Sequence, residues 1–357
     1  MNKRINFKIG KKIIGQYSKT YFIADIGANH NGSLNKAIDL IHSAKENGAD
    51  AAKFQHFSAE TIVSDYGFRS LKKKLSHQSK WKKSVFKVYK DASIDLSWTN
   101  ILKKTCDEVG IEFFTSPYSF SMVDHINSYV RAFKIGSGDI TWHEMLRYIA
   151  SKNKPCILAS GASNLSEVKS AIKIISKVNK KICLMQCNTN YTGNADNFKY
   201  INLNVLKTYK KNFPNIILGL SDHTDGHSTV LGAISLGAKM IEKHYTLNKN
   251  REGPDHKFSM DPNSWKEMVD RSKELEASLG GTTKKIEKNE VNSVIVQRRS
   301  IRVKKSLKIG SEIKVEDLEF LRPNPKDSLP PYLKNKIIGK KLKKNKISGD
   351  FIKLSDF

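Results

Sequence analysis

Residues 219–256 read GLSDHTDGHSTVLGAISLGAKMIEKHYTLNKNREGPDH, and the fold is decided there. Two apolar runs, ending at Gly219 and Ile241, each stop at a polar cluster. Ser221, Asp222 and His223 end the first, and Glu242, Lys243 and His244 end the second. Residues 228–236 between them carry a small-residue helical pattern. Strand, loop, helix and strand follow in order, with the chemistry at the C-terminal strand ends, where α/β barrels put it. Side chains alternate along a strand. Gly219, Ser221 and His223 therefore share one face, and Glu242 and His244 another. Two neutral imidazoles from adjacent strand ends can hold one divalent metal and leave positions open for substrate or water. Either histidine alone would more simply bond its own loop. The pair at matching strand ends, beside Asp222 and Asp255, favours a ligand role.

The alternation extends outward over the chain. Strand-like runs occur at 21–26, 51–54, 111–115, 132–135, 155–159, 182–186, 216–220 and 238–242. Amphipathic patterns lie between most of them, at 34–47, 97–109, 119–129, 145–151, 165–178, 203–212 and 229–236, with 264–279 after the last strand. Eight strands alternating with helices predict a (β/α)8 TIM barrel, assigned here to residues 1–281. Residues 1–20 read as a hairpin or arm. The segment 55–94 is too long for a simple loop and reads as a lid-like insertion over the C-terminal face. Gly280 and Gly281 break the last helix, and the polar run 282–293 reads as a linker. Residues 294–357 change to short strands and turns, predicting a small β-rich domain. An internal echo runs through it: Gly310, Ile313 and Asp317 recur at the same spacing as Gly349, Ile352 and Asp356.

The chain has 357 residues and a formal net charge of +27, which permits nucleic-acid binding. Three features argue against it. Lysine greatly outnumbers arginine, the residue that makes the commonest base contact. The lysines are spread along the chain, and no nucleic-acid motif appears. A lysine-rich solvated surface that attracts an anionic substrate is the preferred reading. No apolar run reaches the ~20 residues of a membrane span. The basic N-terminus lacks an apolar core and cleavage site, so no signal peptide is read. Cys106, Cys156, Cys183 and Cys187 lack disulfide or zinc spacing, and a reducing cytoplasm is expected.

The strand ends deliver a consistent set. The first gives Asp25, with Asn29, His30 and Asn31 beyond it. The second gives Lys53 and Gln55, and the third Thr115 and Ser116. The fourth gives Lys134, Ser137 and Asp139, and the fifth Ser160 and Gly161. The sixth gives Gln186, Asn188, Thr189, Asn190 and Tyr191. Two lysines, several hydroxyls and glycine-exposed amides suit a small, multiply charged anion. Asp25, Asp139 and Asp255 suit a polyol or proton transfer. Singly, each Ser or Thr reads as a helix cap and each lysine as a surface ion pair. Convergence of nearly all eight strand ends favours a site.

The motifs IADIGANHNG, GADAAKFQ, FFTSPYS, FKIGSGDI, GLSDHT, EKHYTL and GPDHKFSMDP resemble those of the sialic acid synthases. The tail, with RRSIR, FLRPNP and IIGKKLKKNKISGDFI, resembles that family's antifreeze-like (SAF) domain. The resemblance implies condensation of phosphoenolpyruvate with an N-acylated hexosamine, N-acetylmannosamine or a diacetamido analogue, to a nonulosonic acid and phosphate. It implies phosphoenolpyruvate binding by Lys53, Thr115, Lys134, Ser137, Ser160 and Ser221. It implies a divalent metal on His223 and His244, usually manganese, with magnesium or cobalt admissible. Gln55, Tyr191 and Asp255 would contact the sugar, with Thr189 near its acyl group and Asp139 beside the reacting carbons. Arg322 would reach the acyl group from the small domain, serving the neighbouring barrel of a domain-swapped homodimer. Asp25 and Asp139 stand where the family often has Glu, which leaves the reaction class intact and the particular sugar open. Legionaminate and N-acetylneuraminate products are both admissible, and the GSGDI stretch disfavours pseudaminate.

Rival readings are another phosphoenolpyruvate-dependent synthase acting on a phosphosugar, and a Schiff-base aldolase using Lys53 or Lys134. The non-enzymatic rivals are a nucleic-acid-binding protein and a barrel kept for binding alone.

Overall fold

The computed structural model describes residues 6–71, 73, 75, 78, 79 and 81–357, and the chain divides into two compact units, 1–280 and 281–357. The first opens with an antiparallel hairpin, β1 (Asn6–Ile9) and β2 (Lys12–Gly15). Eight parallel strands follow: β3 (Tyr21–Asp25), β4 (Ala51–His56), β5 (Glu112–Pro117), β6 (Phe133–Ile135), β7 (Cys156–Ala159), β8 (Ile182–Cys187), β9 (Ile217–Asp222) and β10 (Met240–His244). They form one sheet in the order β5-β4-β3-β10-β9-β8-β7-β6, and β5 and β6 lie side by side at its ends. The sheet is the expected barrel.

The connecting helices are α1 (Leu34–Glu46), then α2 (Ala59–Ile62), α3 (Asp65–Ser70) and α4 (Val85–Ala92) in the long insertion, and α5 (Trp98–Val109). After them come α6 (Phe120–Asn127), α7 (His143–Ser151), α8 (Leu165–Val178), α9 (Val205–Asn212), α10 (Ser228–Ser235) and α11 (Pro262–Leu279). Local chemistry sets their ends. Asn164 and Glu167 form a reciprocal capping box on α8, and Asp261 caps α11 ahead of Pro262. Gly110 closes α5 in the left-handed conformation at φ 73°.

The barrel buries two apolar layers. One lies between strands and helices. The other fills the N-terminal half of the interior with Tyr21, Ile23, Phe114, Ile157, Met185, Ile217 and Met240, and hairpin residues Phe7, Ile9 and Ile14 pack into it. The hairpin plugs that end, so substrate access is left to the C-terminal end. The parallel strands are buried on both faces almost throughout, β9 and β10 at every residue, as parallel strands under helices are. In the insertion Lys73 is exposed, while Lys72 and Lys74 lie outside the described residues.

The second unit holds α12 (Val291–Gln297) and the antiparallel pair β11 (Ser300–Val303) and β12 (Leu318–Leu321). Part of the expected linker is thus helical, because a turn over Lys288–Glu290 runs into α12. The core is Ile301, Val303, Ile313, Leu329, Ile337, Leu342 and Ile352. The sequence echo is structural. Asp317 accepts from Lys314 N at 3.1 Å, and Asp356 from Lys353 N at 2.8 Å. The same two aspartates pair with Lys305 at 2.8 Å and Lys344 at 2.7 Å. Gly310 and Gly349 turn at φ 82° and 84°. Arg322 follows β12, is exposed, and among the described residues forms no hydrogen bond or ion pair.

Candidate active site

Above the apolar plug, the barrel interior changes to charged side chains. Strand register sets their level: Asp25 is opposite both Lys53 and His244, and Ser221 is opposite Glu242. Lys53 Nζ lies 2.6 Å from Asp25 Oδ2 and 3.6 Å from Glu242 Oε1. Lys134 Nζ lies 3.3 Å from the same Glu242 oxygen, to which Ser221 Oγ donates at 3.1 Å. Both lysine side chains are only 3% exposed, so their charges act in a water-poor setting. Burial lowers the Lys53 pKa, and the Asp25 and Glu242 charges outweigh it and hold the ammonium charged. Burial likewise raises Asp25, while the adjacent His244 ring and Lys53 ammonium outweigh it and keep the carboxyl ionised. Glu242 Oε2 is buried with no hydrogen-bond partner.

Next to this floor lies a hydroxyl cluster. Gly161 N donates to Ser137 Oγ at 2.9 Å. A Cβ at Gly161 would collide with Thr189 Oγ1 and approach Ser137 Oγ and Cys187 Sγ, so only glycine leaves this space open. Thr189 Oγ1 is buried and unpartnered. Asp139 is half-buried, and burial pushes its pKa up to about 6 against the pull of Lys134.

His244 stands level with Asp25 by strand register, and its ring centroid lies 5.4 Å from that of His223. His223 shares a hydrogen bond through Nδ1 with the Asn188 carbonyl at 3.0 Å. A carbonyl only accepts, so Nδ1 carries the proton and Nε2 has the free lone pair. Burial, then the neighbouring His244, pushes the His223 pKa down to about 3, so the ring is neutral. His244 Nε2 lies 3.3 Å from Asp25 Oδ2, and its Nδ1 is buried without a hydrogen-bond partner, 3.8 Å from Asp255 Oδ2. Each ring thus has one nitrogen turned to an oxygen and the other open, the arrangement of metal-ligating histidines. The donor set fits a divalent ion with open positions. Among the described residues no group of three or more His, Cys, Asp or Glu donors is assembled, so the protein would supply two nitrogens.

Tyr191 packs on His223 at 4.4 Å between ring centroids, and Phe258 on His244 at 4.9 Å. Asp255 Oδ2 accepts from Ala28 N at 2.9 Å, beside Gly27 at φ 49°, where a Cβ would sit 2.5 Å from that oxygen. Gln55 Nε2 donates to Asp25 Oδ2 at 3.5 Å. Outward opens a cavity of about 710 Å³ lined by Asn31, Tyr191, Phe258, Lys257, Arg251 and, from the insertion, Trp81 and Asp91. The insertion therefore walls the entrance.

Two expected contacts are corrected. Thr115 does not face the interior: its hydroxyl shares a 2.7 Å hydrogen bond with His56 Nδ1 on the helix side. Phe114 is an interior residue, so alternation puts Ser116 inside, where its Oγ is buried and unpartnered. The Ser160 hydroxyl is also taken up elsewhere, donating to the Met185 carbonyl and accepting from Tyr209 OH, both at 2.9 Å. Asp25, Gln55, Lys53, Lys134, Ser221, His223, His244, Tyr191 and Asp255 form one connected site, with Ser137, Thr189 and Asp139 at its side. Arg322 belongs to the second unit. Ser116 was named only within the general set of strand-end hydroxyls, and Glu242, Cys187 and Phe258 were given no role from sequence. The EKH cluster was the signal for Glu242.

Fold and site define the class, a (β/α)8-barrel enzyme that handles a small, multiply charged anion beside two open imidazoles. The chain belongs to the NeuB family, whose profile matches residues 40–284, and a SAF domain matches 298–357. It is 33% identical to the N,N'-diacetyllegionaminic acid synthase of Legionella pneumophila, covering 98% of this chain and 96% of that one. It is 30% identical to the N-acetylneuraminate-9-phosphate synthase of Homo sapiens, over 93% of this chain and 91% of that one. Among solved structures it resembles the sialic acid synthetase of Leptospira borgpetersenii, with a TM-score of 0.71, 26% identity, and 82% and 97% of the two chains covered. The chain is accordingly a phosphoenolpyruvate-dependent, C–C bond-forming synthase.

Proposed function

We propose that the chain condenses phosphoenolpyruvate with the open-chain aldehyde of an N-acylated hexosamine and water, giving a nine-carbon nonulosonic acid and phosphate. The observation that carries this reading is the floor: two buried lysines share Glu242, which stands two residues before His244 on β10. Lys53 and Lys134 hold the phosphoenolpyruvate anion, and the hydroxyls of Ser116 and Ser137 orient its oxygens. Fixed, buried charges need no rearrangement as charge redistributes, which is electrostatic preorganisation. The alkene carbon attacks the aldehyde carbon, water adds at the carbon bearing the phosphate, and the C–O bond to phosphate breaks. His223 and His244 would hold a divalent ion, manganese by the family resemblance, which supplies Lewis-acid polarisation of the aldehyde oxygen. Gln55, Tyr191 and Asp255 orient the sugar. Asp139, with its pKa raised to about 6, takes a proton beside the reacting carbons.

The sugar is of N-acetylmannosamine or diacetamido type, and the full-length likeness to a legionaminic acid synthase supports the second. Exposed, unpaired Arg322 supports a two-fold homodimer in which each small domain completes the partner's barrel. Four free, buried cysteines support a cytoplasmic setting. Among the described residues no helix is long and apolar enough to cross a membrane. Incubation with phosphoenolpyruvate and a panel of N-acylated hexosamines, followed by phosphate release and product mass, tests the reading. Phosphate released together with a product heavier by the pyruvyl unit is expected. No release with any member of the panel refutes it.

A further inference from the structure

We propose that the buried Asp222–Lys243 ion pair, on the helix-facing side of the barrel, positions His223 and thereby sets the affinity of the two-histidine site for a divalent cation. The inference rests on the metal reading above. Pairing between β9 and β10 ends at Asp222 and Lys243, one residue before His223. His244, by contrast, still pairs across to Asp25 of β3. The sheet therefore fixes one histidine and releases the other at its very end.

Lys243 takes over where the ladder stops. Its Nζ donates to Asp222 Oδ2 at 2.5 Å and to the Thr224 carbonyl at 2.7 Å, so one ammonium grips the residues on both sides of His223. Asp222 Oδ2 also accepts from Thr224 Oγ1 and from Thr229 Oγ1, each at 2.7 Å, and Thr229 ties the assembly to α10. The His223 Nδ1 bond to Asn188 orients the ring, and the lysine clamp holds the backbone that carries it.

The pair is 1% and 0% exposed in a layer otherwise built from side chains such as Leu218, Leu220 and Ile241. A charged pair there gives up solvation that an apolar pair would not. Its presence there fits a site that needs one defined arrangement. Alternation points Asp222 and Lys243 away from the interior, so neither touches substrate and both act through His223. They are positioning residues.

The test uses the full chain, freed of metal and titrated with Mn2+ while free ion is read by electron paramagnetic resonance. Phosphoenolpyruvate affinity is measured separately in chelated buffer by calorimetry. In Asp222→Asn/Lys243→Met, which removes both charges at similar volume, Mn2+ affinity should fall about tenfold or more, as loss of an outer-shell partner does. Phosphoenolpyruvate affinity should stay within about twofold, since the floor makes no contact with the pair. Thr229→Val removes a single donor and keeps the ion pair; it carries the test if the double variant does not fold, with a loss above about twofold expected. Unchanged Mn2+ affinity in a folded variant overturns the proposal. So do parallel losses for both ligands, which mark general loosening. If the unaltered chain binds no Mn2+, the metal reading fails and this inference with it.

Discussion

Lys53→Met and Lys134→Met should separate two lysines that look equivalent in sequence. Both side chains are 3% exposed, but their partners differ. Lys53 lies 2.6 Å from Asp25 and 3.6 Å from Glu242, whereas Lys134 has Glu242 alone, at 3.3 Å. Removing Lys53 leaves Asp25 buried without its lysine, and breaking such a pair costs about 3–5 kcal/mol. Removing Lys134 leaves Glu242 with Lys53 and Ser221, so the cost is nearer that of one weakened polar contact, about 1–2 kcal/mol. At roughly 2–3 °C per kcal/mol, the Tm losses are about 6–15 °C for Lys53→Met and about 2–6 °C for Lys134→Met. Catalysis should not follow that order. Each variant removes a fixed charge from the substrate anion, worth about 10²–10³ in kcat/KM. Thermal unfolding and phosphate release measure the two effects. A Tm loss for Lys134→Met equal to or above that for Lys53→Met would refute the assigned pairing. Less than a tenfold loss of kcat/KM in either variant would refute an anion held at this floor.

Exhaustive chelation should abolish turnover and added Mn2+ should restore it, with His223→Ala folded but inactive; full activity after chelation would rule out a metal requirement. Because burial holds the Asp139 pKa near 6, kcat/KM should rise with pH through about 6 as the carboxylate forms, and Asp139→Asn should flatten that limb. Phosphoenolpyruvate labelled at its bridging oxygen should deliver the label to inorganic phosphate, and label retained in the product would mean P–O cleavage. Arg322→Ala and His223→Ala, each inactive alone, should regain about a quarter of sites once subunits exchange, because in a mixed dimer one barrel receives both intact residues. Verified exchange with no recovered activity would rule out an Arg322 that acts across subunits.

The eight strands were legible because each carries an apolar run, but their ends were not. Residues 216–220 and 238–242 were read as strands, whereas β9 and β10 run on to Asp222 and His244. Hydrophobicity marks only the plugged lower half of a barrel. The upper interior is polar because it is the site, and its strands read as loops there. The face of each residue was legible only where a polar side chain broke the run. In 113–117, FFTSP, both phenylalanines are buried, Phe113 under helices and Phe114 inside. Nothing in the sequence says which is which, so Thr115 and Ser116 were both listed at the strand end, and only the resemblance singled out Thr115. Ser160 was given to phosphoenolpyruvate by the resemblance alone, and its hydroxyl instead bonds Tyr209. Glu242 was visible but had no evident place among groups expected to bind an anion. Its sense is geometric: one carboxylate oxygen stands 3.6 Å from Lys53 Nζ and 3.3 Å from Lys134 Nζ, a shared partner for both lysines within the buried floor. Asp222 and Lys243 were quoted within the decisive stretch and read as strand-end chemistry. Alternation alone already put them opposite Ser221, Glu242 and His244, facing the helices, where a charge makes sense only if it holds something in place.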